Sequence, residues 1–183
     1  LEGFEAGNPE GFAEPRSIAF DRVAATARIG SLFGKVLDVD ELVVQRPALT
    51  IEFQGLKSNV GAFMDRLDRE KTEDTDGRRF RVRRLRVEGA TVRFRSDALS
   101  GSPREVTLPT IELNNIGTSD DAATTSELIA AVLRALTAEG MKAAEGLVPS
   151  DLLNSLGGEL KLSAETIRRK VEDELDRLKV PKP

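Results

Sequence analysis

The side chains that most enzymes use as nucleophiles, bases or metal ligands are largely missing here, for the 183 residues include no Cys, His, Trp or Tyr. Without His there is no imidazole base near neutral pH and no Ser-His-Asp triad. Without Cys there is no thiolate nucleophile, no Cys-bearing zinc site and no disulfide. Carboxylates, Lys, Ser and Thr remain, and their clusters fall short of known chemistry. Asp74, Asp76 and Gly77 hold part of a calcium-loop spacing, but Thr72 replaces the first Asp and Arg83 the closing Glu. The segment GSLFGK is too short for a phosphate loop, and Val36 follows where Ser or Thr would hold magnesium. No Ser is followed three residues later by Lys, and there is no Gly-x-Ser-x-Gly elbow. The chain is expected not to be an enzyme and to carry no metal or cofactor.

The remaining chemistry is cationic. RRFRVRRLRVEGATVRFR carries Arg at 78, 79, 81, 83, 84, 86, 93 and 95 against the single acid Glu88, in a chain whose net charge is -4. Phe80, Val82, Leu85 and Val87 interleave with these cations at strand spacing, which predicts one buried face and one charged face. Arg79, Arg81, Arg83 and Arg86 are then candidates for anionic head groups, although a plain solvent face explains them as simply. Nucleic acid is not an expected partner, because no Tyr or Trp is present for stacking and no glycine-rich basic tail accompanies the strand.

The elements that would position these residues share one spacing, Φ-x-x-Φ-x-Φ-x-x-Φ, where Φ is apolar or proline. It occurs as Leu1, Phe4, Ala6, Pro9; as Val39, Leu42, Val44, Pro47; as Val82, Leu85, Val87, Ala90; and as Leu108, Ile111, Leu113, Ile116. The middle copies extend to a 17-residue match, KVLDVDELVVQRPALTI against RRFRVRRLRVEGATVRF. Repeated strands of one design build an extended surface with a continuous apolar face. Each copy contains two odd steps, and an odd step moves a side chain to the other face unless a bulge or turn absorbs it. The second step falls on breaker chemistry each time: Gly7-Asn8, Gln45-Arg46, Glu88-Gly89 and Asn114-Asn115. Bent, twisted strands are therefore expected.

Other segments are predicted from periodicity. Val23, Ala25, Ala27 and Ile29 alternate as on a half-buried strand. Val60, Phe63, Met64 and Leu67 form a helical stripe with Ser58 as N-cap, a crossover helix near 58–69. The polar EKTEDTDG that follows is expected to be a loop. Pro109 cannot donate to a ladder, so its strand is expected at an edge or bulged. Thr124 with Glu127 makes a capping box before a helix carrying Leu128, Ile129, Val132, Leu133 and Leu136. Ser150 opens a short helical turn that Gly157-Gly158 is expected to break, and Ser163 begins another helix with Ile167, Val171, Leu175 and Leu178 on one stripe, ended by Pro181.

Several segments carry a family likeness: Asn8-Pro9 with Gly11-Phe12, Ser31-Leu32 with Gly34, Val44 to Pro47, Asn59 in the short helix, and Leu108-Pro109 to Ile116-Gly117. Over residues 1 to about 140 the chain resembles the AsmA-like family of bacterial envelope proteins. The resemblance implies an N-terminal transmembrane anchor, an envelope-side β domain, and kinship with repeating β-groove proteins that carry lipids between membranes. The abrupt start at Leu1, inside the first repeat and without Met, leads us to expect further chain upstream. A single module of this length would not bridge two membranes.

The expected fold is α+β: a curved, twisted, mainly antiparallel sheet of five to seven repeated bulged strands with one crossover helix and a C-terminal helical region. One domain is expected in two regions, the strands over 1–118 and helices packing on the sheet over 119–183. The resemblance and the apolar face together suggest a non-enzymatic, membrane-anchored periplasmic protein that contacts lipid or acyl chains. Candidates for that face are Leu37, Val39, Leu42, Val44, Leu49, Ile51, Phe80, Val82, Leu85, Val87, Val92 and Phe94, at least half of them expected as core under the helices. The alternative is a structural or accessory subunit docking onto other envelope proteins by its strand edge or terminal helices.

Overall fold

Among the described residues nine strands form one sheet, mostly antiparallel, with helices as the second component of a mixed α and β fold, and the longer strands fall where apolar residues keep strand spacing. The computed structural model describes residues 2–73, 77–99, 102–117 and 122–161. The strands are β1 (Glu2–Gly7), β2 (Arg16–Ala27), β3 (Val36–Gln45), β4 (Ala48–Gln54), β5 (Lys57–Ser58), β6 (Arg79–Glu88), β7 (Thr91–Arg95), β8 (Arg104–Thr107) and β9 (Ile111–Ile116). The helices are α1 (Asn59–Glu73), α2 (Thr125–Ala143) and α3, described over 150–161.

The two long copies of the repeat lie side by side. β3 runs parallel to β6 and β4 parallel to β7, and each residue pairs with the one 43 positions later, as in Val39 with Val82, Leu42 with Leu85 and Ile51 with Phe94. That is the offset at which the 17-residue match aligns. The fourth copy pairs antiparallel with the third and still matches it position for position: Ile116 with Val82, Leu113 with Leu85, Ile111 with Val87. Leu108 N–H completes the set by donating to the Ala90 carbonyl at 2.9 Å. A spacing of three, two, three reads the same in both directions, so parallel and antiparallel copies can share one set of transverse rows.

The strand count exceeds the expected five to seven because each long unit is interrupted at the same level. Between β3 and β4, Arg46 takes a left-handed φ of 46°, and between β6 and β7 its counterpart Gly89 has φ 63°. Pro109 falls between β8 and β9, which pair only with β7 and β6 and so occupy the sheet margin. Inside β3, Val39 and Leu42 both line one cleft although three residues apart, and opposite them the pairing with β2 shifts between Thr26 and Ala27.

The core sits between one part of this sheet and the helices. Leu49, Ile51, Val82, Leu85, Val87, Val92 and Phe94 are buried together with Val60 and Met64 of α1, Leu133 and Leu136 of α2 and Leu156 of α3. Ser58 accepts a hydrogen bond from the Gly61 N–H at 3.1 Å, capping α1, and α2 begins at the expected capping box of Thr124 and Glu127. Glu159 of α3 accepts from the Ser58 backbone N–H at 3.0 Å and from its hydroxyl, fixing α3 against the start of α1.

Three local expectations are corrected. The helix opened at Ser150 continues through Gly157 and Gly158, because this element packs so close to α2 that a Cβ at Gly157 would lie 3.2 Å from Met141 Cε. Ile29 leaves the β2 face and stands exposed in a 3-10 turn (Ile29–Phe33), because the chain turns just after the extended Arg28, whose carbonyl accepts from the Ser31 N–H and hydroxyl. α1 extends to Glu73, into the segment expected as a loop. Asp74 and Asp76 of the partial calcium spacing, and the stripe of Ile167, Val171, Leu175 and Leu178, lie outside the described residues.

The left-handed level between the paired copies can be tested. Gly89→Ala is expected to cost about 1–2 kcal/mol, the penalty for an L side chain in that conformation, with the added Cβ only 3.3 Å from Arg46 Cγ. Arg46→Gly removes the same backbone penalty and is expected to cost less than Gly89→Ala. Urea denaturation of the two variants gives the comparison.

Candidate functional site: an apolar cleft between sheet and helices

A cleft of about 710 Å³ opens where the helices lift off the sheet. Its floor is strand: Ile18, Phe20, Val23 and Ala25 from β2, Leu37, Val39, Leu42 and Val44 from β3, and Phe80, Val82 and Leu85 from β6. Its roof comes from Phe63 and Leu67 of α1 and from Leu128, Ile129, Val132, Leu133 and Leu136 of α2. β1 closes one flank with Phe4 and Ala6, and Phe4 stacks on Phe20 with ring centroids 4.7 Å apart. Phe4 and Ile129 are each more than two-fifths exposed, so the cleft is open to solvent at its margins. Polar groups are few: Arg66, Glu70 and Thr125, with Arg66 and Glu70 paired at 2.8 Å.

The cleft persists partly because β2 presents Ala25 where its partner β3 presents Leu42. Small side chains on one strand opposite large ones on the next leave volume that close packing would otherwise remove. On the roof, Arg134 of α2 is half-buried, and burial lowers its guanidinium pKa from the ordinary value, against the raising influence of Asp68 on α1 and Glu127.

Of the twelve residues expected on a lipid face, Leu37, Val39, Leu42, Val44, Phe80, Val82 and Leu85 are brought together in the cleft. Leu49, Ile51, Val87, Val92 and Phe94 are not; they are almost fully buried beneath the helices. Pattern alone does not divide the two groups, because both follow the same strand spacing and only the position of α1 and α2 separates them. The sequence reading missed the contribution of β1 and β2, although Phe4 and Ala6 belong to the first repeat and Val23 and Ala25 to the alternating strand.

The Arg candidates lie on the opposite face. Parallel pairing sets Arg81 against Asp38 at 3.7 Å, and Arg83 reaches Asp40 at 3.5 Å. Arg86 contacts Glu88 at 2.6 Å and lies 3.6 Å from Glu112 and 3.9 Å from Glu41. These are partly exposed pairs, individually worth about 0–1 kcal/mol. Arg79 begins β6, its backbone N–H donating to the Lys35 carbonyl at 2.9 Å.

A buried polar knot holds the connection from β1 to β2. Glu52 of β4 accepts from Asn8 Nδ2 at 2.9 Å, from the Ala13 N–H at 2.7 Å and from the Glu14 N–H at 2.9 Å. Asn59 accepts from the Glu52 N–H at 3.0 Å and donates to Asn8 Oδ1 and the Thr50 carbonyl, both at 2.8 Å. The Asn-Pro-x-Gly-Phe segment is thereby tied to β4 and α1, which fixes the connection from β1 to β2. Asn8 of that segment thereby has a structural role.

Comparison with protein-family models, with curated proteins and with solved structures finds no match to this chain.

The knot predicts a selective instability. Glu52→Ala leaves two backbone donors and Asn8 without their charged acceptor, so a loss of about 3 kcal/mol is expected. Chemical denaturation measures the loss, and faster hydrogen exchange at Ala13 and Glu14 would locate it.

Proposed function

We propose that this chain is a non-enzymatic, membrane-anchored protein of the bacterial periplasm, AsmA-like in type, whose cleft accommodates a lipid acyl chain. The observation that carries the ligand class is the lining: a cleft of about 710 Å³ with an apolar floor, roof and one apolar flank, and among the described residues only Arg66, Glu70 and Thr125 as polar lining side chains. Ligand pockets commonly span about 300–1,000 Å³. A methylene group is close in size to a water molecule, whose share of liquid volume is about 30 Å³, so a chain of about 16 carbons needs roughly 500 Å³. The envelope setting and the anchor rest on the resemblance in the Asn8–Phe12 and Val44–Pro47 segments. On this reading the repeated bent strands form one curved module, and α1 is the crossover that lets two copies lie parallel.

A second reading, an accessory subunit of an envelope complex, is favoured by the sheet margin at β1. Among the described residues β1 pairs only with β2, and an open strand edge can accept a partner strand.

The acyl proposal has a quantitative signature. Each buried methylene contributes about 0.8 kcal/mol, roughly fourfold in affinity, so binding of fatty acids by isothermal calorimetry should strengthen steadily with chain length and stop doing so once the cleft is filled. Ala25→Trp and Val132→Trp place bulk in the floor and roof and should weaken binding at least tenfold while the protein stays folded. A protein purified free of lipid that binds no fatty acid of any length would overturn the ligand class; stable co-purification with a defined protein instead would favour the second reading.

A further inference from the structure

We propose that the 3-10 turn Ile29–Phe33 is a membrane-inserting tip that seats on an anionic lipid surface beside the end of the cleft. Phe33 is 92% exposed, Ile29 77% and Leu32 42%, three large apolar side chains within five residues. Such a cluster marks a contact surface rather than ordinary surface scatter. The turn is also prepared for an apolar medium, where backbone groups must find partners within the protein. Ser31 N–H donates to the Arg28 carbonyl at 3.0 Å and Gly34 N–H to the Ser31 carbonyl at 3.1 Å. The Ser31 hydroxyl donates to the Arg28 carbonyl at 2.7 Å and accepts from the Asp38 N–H at 3.0 Å, while Arg78 Nη2 donates to the Leu32 carbonyl at 3.3 Å.

Charge selects the occupant. Lys35 follows the turn, Arg78 bonds to it, and Arg79 is joined to Lys35 through the backbone. Among the described residues no acidic side chain pairs with these three, whereas Arg28 is balanced by Asp40 at 3.5 Å. Apolar side chains ringed by cations match the boundary between acyl chains and anionic head groups. A second copy seated tip to tip about a two-fold axis would bring like charges together, which disfavours self-association here. Leu37, four residues beyond Phe33, lines the cleft, so the strand that leaves this tip leads into the apolar lining.

This inference rests on the membrane setting proposed above and not on an occupied cleft. The chain contains no Trp, so Phe33→Trp supplies a single fluorescent reporter. With vesicles of phosphatidylglycerol and phosphatidylethanolamine its emission should shift to the blue, and co-sedimentation should exceed that with phosphatidylcholine at least tenfold. Ile29→Ser with Phe33→Ser should cut co-sedimentation at least tenfold at an unchanged melting temperature, and Lys35→Glu with Arg78→Glu should remove the preference for anionic lipid. No blue shift, or full binding by the serine variant, overturns the tip. Concentration-dependent self-association that the serine variant abolishes also overturns it, assigning the patch to a second copy. Absence of vesicle binding by the unsubstituted protein with fatty-acid binding intact would count against the tip alone, and vesicle binding without fatty-acid binding against the cleft alone.

Discussion

The fold depends on a register constraint: the odd steps in one strand must lie beside the odd steps in the next. Alternation alone would let neighbouring strands slide by two residues and keep their apolar faces aligned. Charge would not stop such a slide between β3 and β6, since Arg occupies 79, 81, 83, 84 and 86 and Asp38 would still face an arginine. The spacing does stop it. Moved by two, Val39 would face Arg84 instead of Val82, and the left-handed residues Arg46 and Gly89 would no longer share a level.

The same constraint distributes polarity. With apolar rows fixed, every intervening position of β6 is free to carry Arg; Asp38 and Glu41 of β3 face Arg81 and Arg84, and Asp40 reaches Arg83, while Arg86 faces Val43. The two segments thus differ in charge while sharing their apolar positions. Opposite charges across a pair favour association modestly, and like charges would oppose it, so the difference in charge suits two strands that lie next to each other. It also accounts for a strongly basic segment in a chain of net negative charge without requiring an anionic ligand on that face.

Much of this architecture was legible in the residues. The aligned 17-residue segments carried the pairing offset, the capping box located the start of α2, and the stripe from Val60 to Leu67 located the buried face of α1. What was not legible depended on contacts distant in sequence. Leu42 and Leu49 obey the same local pattern, yet one lines the cleft and the other is core because α1 and α2 cover different parts of the sheet. Likewise Gly157-Gly158 is a breaker by local propensity, but the helix runs through it, with Gly157 packed so that a Cβ would lie only 3.2 Å from Met141 Cε. Ile29 continued an alternating pattern that ended where the Arg28 and Asp38 backbones bond.

The cleft follows from where the repeat is incomplete. β3, β6 and β9 each supply Leu at one transverse row, Leu42, Leu85 and Leu113, and β2 supplies Ala25 there. At the next row Val39, Val82 and Ile116 are met by Ala27. β2 also lacks the extra residue that its neighbour carries, which is why their register shifts between Thr26 and Ala27. A strand that follows the repeat less closely and carries smaller side chains leaves the helices too little to pack on at that side of the sheet. Apolar walls facing water raise the free energy of the free protein in proportion to their area. An apolar occupant would remove that cost without rearranging the core, because Leu49, Ile51, Val92 and Phe94 are already close-packed under the helices.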